Sequence, residues 1–308
     1  MKKCVVIVNP KSGRGIDIKN ISKIENIIEN YNYSVSVKVT KYRNHAKKIV
    51  KKLDFCDLVI SIGGDGTFSE VMNGNLEREQ KLVLAHVPLG TCNDIGYMYG
   101  LTSDLFTNLK LILEGSIKEI DVGLINNHAF TYVASYGKFM DIPYKTKQEL
   151  KRRIGHVAYI LEVLKRIFEH IPKHKINFYI DNEKHTGKYT FIIISNANRI
   201  GGINNFYNDI KLDDNKFEVV FCSIKRKIDI LKAFYVLKTS DVKYVSGVEI
   251  YKTDNLKIEF LDNPKPWCTD GEEFKCKSRT YEIKLKNKIK MQIPNKNIDK
   301  LFLNVEKK

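Results

Sequence analysis

Residues 58–67 combine an apolar, β-branched run with three glycines that surround one carboxylate, Asp65. Phe68, Val71 and Met72 follow at helical spacing, which predicts that the glycines lie on a strand-to-helix turn. Glycine lets backbone N–H groups and a helix N-terminus approach an anion closely. Asp65 would repel a polyphosphate by itself, so it fits such a site when Mg²⁺ lies between the two charges. The alternative is a tight turn in which Asp65 caps its helix.

Two further glycine-bearing loops, residues 9–15 and 88–94, also follow apolar strand-like runs. Predicted strands alternate with predicted helices over the first part of the chain. The strands are residues 4–8, 35–39, 58–62, 82–87 and 117–122, and the helices are residues 17–30, 45–53 and 104–114. This alternation predicts an α/β domain, a parallel sheet with helices on both faces. Loops at the carboxyl ends of such strands can share one site.

From about residue 123 the pattern changes to short strand-like segments separated by turns. They are residues 123–125, 129–133, 175–180, 189–195, 217–222, 248–251, 256–260 and 280–285. We predict a mainly antiparallel β-sandwich or barrel with helical insertions. The expected domains are residues 1–122 and 123–290, and the tail 291–308 is a candidate to pack back on the first domain.

One of the helical insertions, residues 149–170, has a single apolar stripe. Its members are Ile154, Val157, Ala158, Leu161, Leu164 and Phe168. A helix that lies on a membrane surface and a helix that packs on a core both show this pattern. The core interpretation is favoured, because most amphipathic helices of globular proteins pack that way. A second helix is predicted at residues 228–238.

Composition restricts the class of protein and its partners. The chain has 308 residues and a formal net charge of +16, which favours an anionic partner such as a nucleotide, a nucleic acid or an acidic membrane face. Its six cysteines show no Cys-x-x-Cys pair and no zinc-binding spacing, as expected in a reducing compartment. No signal peptide or membrane-spanning run is visible. A cytoplasmic protein with at most peripheral membrane contact is expected.

The glycine motifs exclude two familiar nucleotide sites. The chain has neither the Gly-x-x-x-x-Gly-Lys-Ser/Thr loop nor the Gly-x-Gly-x-x-Gly fingerprint. A glycine-aspartate phosphate turn remains, which is shared by lipid kinases of the diacylglycerol kinase type, NAD kinases and phosphofructokinases. The other motifs are, in order, Asn-Pro-Lys-Ser-Gly at 9–13, Leu-Gly-Thr-Cys-Asn-Asp at 89–94, Asp-Val-Gly at 121–123 with Phe130 and Gly137, Asn196 through Gly201-Gly202, Leu-Asp-Asp at 212–214 and Asp-Gly-Glu at 270–272.

As an ordered set these motifs resemble the bacterial lipid kinases of the diacylglycerol kinase catalytic-domain family, nearly from end to end. NAD kinases lack the Leu-Gly-Thr-x-Asn-Asp and the closing Asp-Gly-Glu. The resemblance implies an ATP-dependent kinase whose acceptor is a lipid hydroxyl, foremost that of diacylglycerol, which becomes phosphatidic acid. It also implies a nucleotide-binding first domain, a lipid-acceptor second domain, an anionic membrane surface as partner, no nucleic acid and a homodimer.

The resemblance also assigns residues. Glu272 is the implied general base, and Asp65, a catalytic residue, lies with Asp94 near the catalytic Mg²⁺, directly or through water. The implied nucleotide contacts are Asn9, Lys11, Ser12, Thr40, Gly63, Gly64, Asp65, Gly66, Thr67, Glu70 and Thr91. A structural Mg²⁺ is implied at Asp214 with the backbone carbonyls of Lys211 and Lys216; a β-turn without metal is the alternative there.

Two asparagines stand where the family usually has glycine. Asn44 follows Thr40, and Asn215 follows Asp214. Asparagine tolerates positive φ better than most residues, so both turns are expected to survive. Three other functions stay open: a kinase of another lipid alcohol such as a long-chain base, an NAD kinase-like enzyme, and a non-catalytic protein that binds nucleotide or nucleic acid. No helix-turn-helix or aromatic RNA-binding motif supports nucleic-acid binding.

Overall fold

The computed structural model describes residues 1–13, 15–17, 19–146, 149–150, 153 and 157–303. The chain divides into two compact units, Met1–Ile120 with Lys288–Lys308, and Asp121–Asn287. Each unit is described by itself below.

The strands are, in chain order, β1 Lys2–Val8, β2 Tyr33–Val39, β3 Leu58–Gly63, β4 Leu84–Pro88, β5 Ser116–Ile125, β6 His128–Phe130, β7 Val133–Gly137, β8 His174–Ile180, β9 Glu183–Tyr189, β10 Phe191–Ser195, β11 Phe217–Cys222, β12 Val248–Thr253, β13 Asn255–Phe260, β14 Trp267–Thr269, β15 Glu272–Phe274 and β16 Thr280–Ile293. The helices are α1 Lys19–Glu29, α2 His45–Lys51, α3 Asp65–Leu76, α4 Asp94–Met98, α5 Leu105–Leu113, α6 Ile142–Lys145, α7 Val157–Arg166, α8 Lys227–Thr239 and α9 Ile298–Leu301. Short 3₁₀ turns lie at Val242–Tyr244 and Asn295–Asn297.

The first unit is built on a parallel sheet in the order β2-β1-β3-β4. Alternate residues of β1, β3 and β4 face α1 and α5 in one apolar cluster. On the opposite face, Phe68 of α3 packs against His86 of β4, with ring centroids 4.9 Å apart. The end of β16 extends the sheet, since Met291 pairs in parallel with Leu84. The predicted parallel sheet with helices on both faces is confirmed.

The second unit is a sandwich of two antiparallel layers. One layer has the order β12-β11-β10-β7-β14-β15, and the other contains β16, β13, β8 and β9 with the β5–β6 hairpin. Apolar side chains of both layers form one core. Phe178 and Phe221 stack across it with ring centroids 4.1 Å apart, and Trp267 is fully buried. Burying one such aromatic side chain stabilises the fold by about 1.5–3 kcal/mol.

Several sequence predictions need correction. The strand β9, Glu183–Tyr189, was not predicted, because its exposed edge carries Glu, Lys, His and Thr instead of an apolar alternation. The last strand continues to Ile293, past the predicted end at residue 285. The prediction ended too early because Lys286 and Lys288 interrupt the apolar pattern of the strand. Several short elements were not predicted either, namely β7, β14, β15, α4, α6 and α9. The other helices and strands match the predicted order, with ends shifted by a few residues.

The core interpretation of the helix at residues 149–170 is wrong. Part of that prediction, residues 151–152 and 154–156, lies outside the described residues, Ile154 among them. In the described part Ala158 is buried, whereas Val157, Leu161, Leu164 and Phe168 are exposed. The stripe therefore faces solvent in this unit. No helix in the described part of the chain has the length and apolar character needed to cross a membrane.

Candidate active site

Three loops meet at one edge of the first unit's sheet. They follow β1, β3 and β4, which are parallel neighbours, so their carboxyl ends lie side by side. The backbone N–H of Asn9 donates to Ile62 O at 3.0 Å, and that of Leu89 donates to Gly63 O at 2.6 Å. The end of β3 is thus bonded to the loops that follow β1 and β4.

Glycine is required where these loops touch. A Cβ built on Gly90 would lie 2.6 Å from the Cα of Gly64, and one on Gly13 would lie 2.3 Å from the carbonyl oxygen of Leu89. Both distances are too short for a side chain. The backbones of the three loops therefore pack directly on one another, which leaves their N–H groups close to the shared edge.

Side chains of the first loop brace the glycine-aspartate turn. Asn9 Nδ2 donates to Thr67 Oγ1 at 2.9 Å, and the N–H of Gly64 donates to Ser12 Oγ at 3.2 Å. Ser12 and Thr67 are buried, whereas Lys11 is exposed. Thr40, at the end of β2, is buried and its N–H donates to Val8 O at 2.8 Å. The arrangement brings Asn9, Ser12, Gly64 and Thr67 into direct contact.

Asp65 connects the turn to the third loop. Its carboxylate accepts the N–H of Asp94 on Oδ2 at 3.1 Å and the N–H of Ile95 on Oδ1 at 3.2 Å. Asp65 therefore accepts N–H groups at the start of α4, whereas the N-cap of the helix that Asp65 begins is Gly64, which has no side-chain bond. This differs from the sequence alternative in which Asp65 caps the helix that it begins. Both carboxylates are buried, with Asp94 only 1% exposed.

The pair Asp65 and Asp94 suits a Mg²⁺ that arrives with a nucleotide. Among the described residues, no group of three or more His, Cys, Asp or Glu side chains could hold a metal ion. Protein-bound Mg²⁺ commonly uses one or two carboxylates, several waters and substrate phosphates. A carboxylate oxygen has two lone pairs and can accept more than one bond. Two carboxylates therefore fit this mode of binding.

The third loop is braced internally. The N–H of Gly90 donates to Asn93 Oδ1 at 2.6 Å, and Asn93 Nδ2 donates to Gly90 O at 3.1 Å. Asn93 has a φ of 54°, in the left-handed region. Thr91 lies between the braced residues and is partly exposed, so its hydroxyl is presented from a fixed turn.

Glu70 holds the start of α2. Its carboxylate accepts the N–H of Asn44 on Oε1 at 2.7 Å and the N–H of Ala46 on Oε2 at 3.1 Å. Asn44 has a φ of 64°, so it adopts the left-handed conformation at the position where the family usually has glycine. The described contacts therefore give Glu70 a bracing position behind the loop that follows Thr40.

In the second unit, a tight turn presents Glu272. Asp270 and Gly271 both have positive φ, 50° and 84°, and connect the paired residues Thr269 and Glu272. This is the geometry of a two-residue hairpin turn. Glu272 is exposed at the start of β15. Its side chain stands on a rigid turn.

Asp270 anchors that turn and was missed as a site residue. It is 2% exposed, and its carboxylate accepts the N–H groups of Thr131, Tyr132 and Val133 at 2.7, 3.1 and 3.3 Å. The Asp-Gly dipeptide predicted a turn, but no local signal predicted three acceptor bonds to residues nearly 140 positions earlier.

Residues 3–125 match the family model described as the diacylglycerol kinase catalytic domain. This part of the chain is similar to the catalytic domain of diacylglycerol kinases, which are lipid kinases. The resemblance drawn from the motifs is confirmed. Among curated relatives, a "Diacylglycerol kinase" of Staphylococcus haemolyticus is 29% identical over 228 residues, covering 71% of this chain and 67% of the relative. One of Bacillus subtilis is 28% identical over 224 residues, covering 71% and 73%.

Solved structures share the fold. A diacylglycerol kinase from Bacillus anthracis str. Sterne is 23% identical, with a TM-score of 0.76 over 96% of this chain and 98% of that one. A putative diacylglycerol kinase from the same strain is 24% identical, with a TM-score of 0.78 over 96% and 99%. At this identity the likeness shows the fold alone.

A lysine pairs with the carboxylate of the implied structural Mg²⁺ site. Lys252 Nζ lies 2.6 Å from Asp214 Oδ2 and 3.3 Å from Glu218 Oε1. The other oxygen of Asp214 accepts the N–H of Lys216 at 3.1 Å. A divalent cation would have to displace the ammonium group from the carboxylate. The arrangement of Asp214, Lys211 and Lys216 therefore does not fit a second metal ion.

The turn itself survives without a glycine. Asn215 has a φ of 59°, and its N–H donates to Asp121 Oδ2 at 2.7 Å. Burial raises the pKa of Glu218 to about 7, with Lys252 opposing the shift and Asp214 adding to it. The cluster around Lys252 is thus a charge network within the second unit, and Asp121 ties its loop to β5.

Proposed function

We propose that the chain is an ATP-dependent lipid kinase that transfers the γ-phosphate of ATP to the hydroxyl of diacylglycerol and so produces phosphatidic acid. The observation that carries the proposal is the union of the glycine-aspartate turn with the Leu-Gly-Thr-Cys-Asn-Asp loop through the carboxylate of Asp65. The match of residues 3–125 to the diacylglycerol kinase catalytic domain supports it. The names of the relatives supply the acceptor.

The first unit is the proposed ATP-binding domain. Backbone N–H groups around Gly64, Gly66 and Thr91 would hold the phosphates, assisted by the start of α3. Lys11, exposed on the first loop, would add a cation. Asn9, Ser12, Thr40, Gly63, Thr67 and Glu70 would fix the loops that make these contacts.

The proposed step is a displacement at the γ-phosphorus. The lipid hydroxyl oxygen bonds to phosphorus, the bond from phosphorus to the bridging oxygen breaks, and ADP leaves with that electron pair. The hydroxyl proton goes to the carboxylate of Glu272, because an alcohol is a poor nucleophile while protonated. Asp65 and Asp94 would hold Mg²⁺, directly or through water. When bound, the ion neutralises charge on the β- and γ-phosphate oxygens.

The second unit is the proposed lipid-acceptor domain, acting in the cytoplasm at the inner face of the membrane. The net charge of +16 supports an anionic surface as partner. The homodimer implied by the family resemblance belongs to the same proposal, and sedimentation equilibrium measures it directly.

The decisive experiment is a panel of acceptors with γ-labelled ATP and purified protein. Diacylglycerol and a long-chain base are offered in mixed micelles, and NAD is offered without detergent. We expect label in phosphatidic acid. A protein that binds ATP normally but labels no lipid would refute the proposal, and label in NAD alone would establish the NAD kinase-like alternative.

A matched pair of variants tests the base. Glu272→Gln should lower turnover by about 2–4 orders of magnitude, the usual scale for a positioned acid–base group. Glu273→Gln is the control, since Glu273 is the next residue of β15, faces the opposite side of the strand and pairs with Lys275 at 3.0 Å. Equal turnover in both variants would remove Glu272 from the mechanism.

A further inference from the structure

Helix α7 and the turn after it carry an apolar stripe that faces solvent. Val157, Leu161, Leu164 and Phe168 are spaced four, three and four residues apart, so they line up along one side of the helix. They are between 41% and 77% exposed, with Phe168 the most exposed. Four large apolar side chains in a row on a solvent-exposed surface indicate a binding site for a partner molecule or a membrane.

Helix α8 carries a second such face. Ile228, Leu231, Phe234 and Tyr235 are between 41% and 72% exposed, and Ile230 is the one residue of this helix that is buried among its thirteen, all of which are described. Lys227, Lys232 and Lys238 lie on the exposed side with them by helical spacing. The exposed face of α8 is therefore apolar and basic at once.

The two faces belong to one surface of the second unit. Lys227, at the start of α8, donates through Nζ to the carbonyl oxygen of Phe168. Ile167 and Ile230 are buried in the same small cluster with Cys222 and Ile224. Each helix is thus anchored by that cluster. We call these exposed residues together the α7–α8 surface. It consists of Val157, Leu161, Leu164, Phe168, Ile228, Leu231, Phe234 and Tyr235, with Lys227, Lys232 and Lys238.

The charges of this surface are positive. Residues 225–243 contain six Lys or Arg and two Asp, a difference of +4. Both aspartates are engaged: Asp229 pairs with Arg226 at 3.1 Å, and buried Asp241 accepts the N–H of Lys243 at 2.8 Å. Near α7, the carboxylate of Glu169 lies 2.7 Å from Lys138 Nζ.

We propose that the α7–α8 surface docks on an anionic lipid bilayer, with its apolar side chains among the acyl chains and its lysines at the headgroups. This deepens the proposed function and rests on it for the source of the lipid acceptor. A second copy of the chain is a poorer occupant, because a two-fold contact would bring two copies of the same basic surface together. A bilayer of anionic lipid complements both the apolar and the basic residues.

Flotation with vesicles of phosphatidylglycerol and phosphatidylcholine, without nucleotide, tests the proposal. Phe168→Glu and, separately, Leu231→Glu should weaken binding by about tenfold or more. Each change replaces an apolar side chain that would be buried among the acyl chains with a charged one. Phe55→Glu is the matched control: Phe55 is 53% exposed, lies in the first unit and should bind like wild type. Each Lys→Gln change at Lys232 or Lys238 should weaken binding by about fivefold.

The outcomes separate the two proposals. With short-chain diacylglycerol dispersed in water, Phe168→Glu should phosphorylate as fast as wild type, since Phe168 takes no part in the reaction. Docking would be overturned if Phe168→Glu and Leu231→Glu both bound vesicles as tightly as the wild-type protein does. It would also be overturned if the wild-type protein did not bind anionic vesicles. Dissociation of a dimer by Phe168→Glu in sedimentation equilibrium would overturn docking too, and would assign the surface to a second copy. Vesicle binding without any lipid phosphorylation would instead refute the kinase proposal alone.

Discussion

Asp65 and Asp94 are joined by a hydrogen bond of 3.1 Å, in which the backbone N–H of Asp94 donates to Oδ2 of Asp65. The bond links the helix start after β3 to the helix start after β4. Asp65 thus has two tasks in the proposed enzyme, since the same buried carboxylate would also face Mg²⁺. For a substitution of Asp65, both the stability of the protein and the turnover of the enzyme must therefore be measured.

Asp65→Ala should abolish turnover and also destabilise the first unit. Two N–H groups at the start of α4 lose their acceptor, which costs about 1–3 kcal/mol. Asp104→Ala is the control, because Asp104 caps α5 by accepting the N–H of Thr107 at 2.7 Å. Its loss should cost about 0.5–2 kcal/mol without affecting turnover. Urea unfolding and the lipid assay measure both. Equal activity of the two variants would leave Asp65 with a structural task only.

Asp270→Asn should slow the reaction although Glu272 remains. An amide offers one acceptor oxygen in place of two, so at least one buried N–H among residues 131–133 loses its partner, costing about 1–3 kcal/mol. The turn that carries Glu272 then loosens. We expect kcat to fall while KM for ATP stays constant, because the proposed ATP contacts lie in the first unit.

Asp241→Asn is the control for that variant. Asp241 is also buried in the second unit and accepts the N–H groups of Asn208 and Lys243, both at 2.8 Å. It should lose similar stability and keep its kcat. A matching fall of kcat in both variants would show a general effect of destabilisation and argue against a positioning role for Asp270.

Glu218 should make stability fall as the pH rises from about 4.5 to 7. Its pKa is raised from 4.5 to about 7 in the folded chain, chiefly by burial. Within that window the folded state keeps a proton that the unfolded state has released. The stabilisation is complete below the lower value and lost above the upper one, a change of about 3 kcal/mol. Urea unfolding of wild type and Glu218→Gln at pH 5 and 7.5 tests it. The variant should lack this slope.

His86 should act in the opposite direction. Burial against Phe68 lowers the pKa of its imidazole from 6.5 to about 3. Below pH 6.5 the unfolded chain binds a proton that the folded chain refuses, so stability falls with acidification, by up to about 5 kcal/mol near pH 3. His86→Phe should retain more of its stability between pH 6.5 and 4.5 than wild type. Parallel pH profiles for the two proteins would contradict the expected protonation.

The sequence predicted what depends on neighbouring residues. Apolar runs followed by glycine predicted β1, β3 and β4 and the loops after them, and asparagine predicted the left-handed turns at Asn44 and Asn215. It did not predict contacts between distant positions. Lys252 meets Glu218 because β11 and β12 pair in register, and Asp270 reaches residues 131–133 because β14 pairs with β7 in the same sheet. The direction of the α7 stripe was predicted wrongly, since a helix that packs on a core and a helix that lies on a membrane share one pattern.

Lys252 should make the stability of the second unit independent of divalent metal. Its ammonium supplies positive charge to Asp214 and Glu218. The melting temperature of the nucleotide-free wild type should therefore be equal in Mg²⁺ and in excess chelator. Lys252→Met removes the cation and leaves both carboxylates uncompensated, at a cost of about 1–3 kcal/mol. Added Mg²⁺ should restore part of that loss, because Asp214 is then open to a metal ion.

Lys257→Met is the control, since Lys257 pairs with Glu259 at 2.6 Å on a more exposed strand. It should show no response to Mg²⁺. A wild-type melting temperature that falls in chelator would mean that the metal displaces Lys252 in the folded protein.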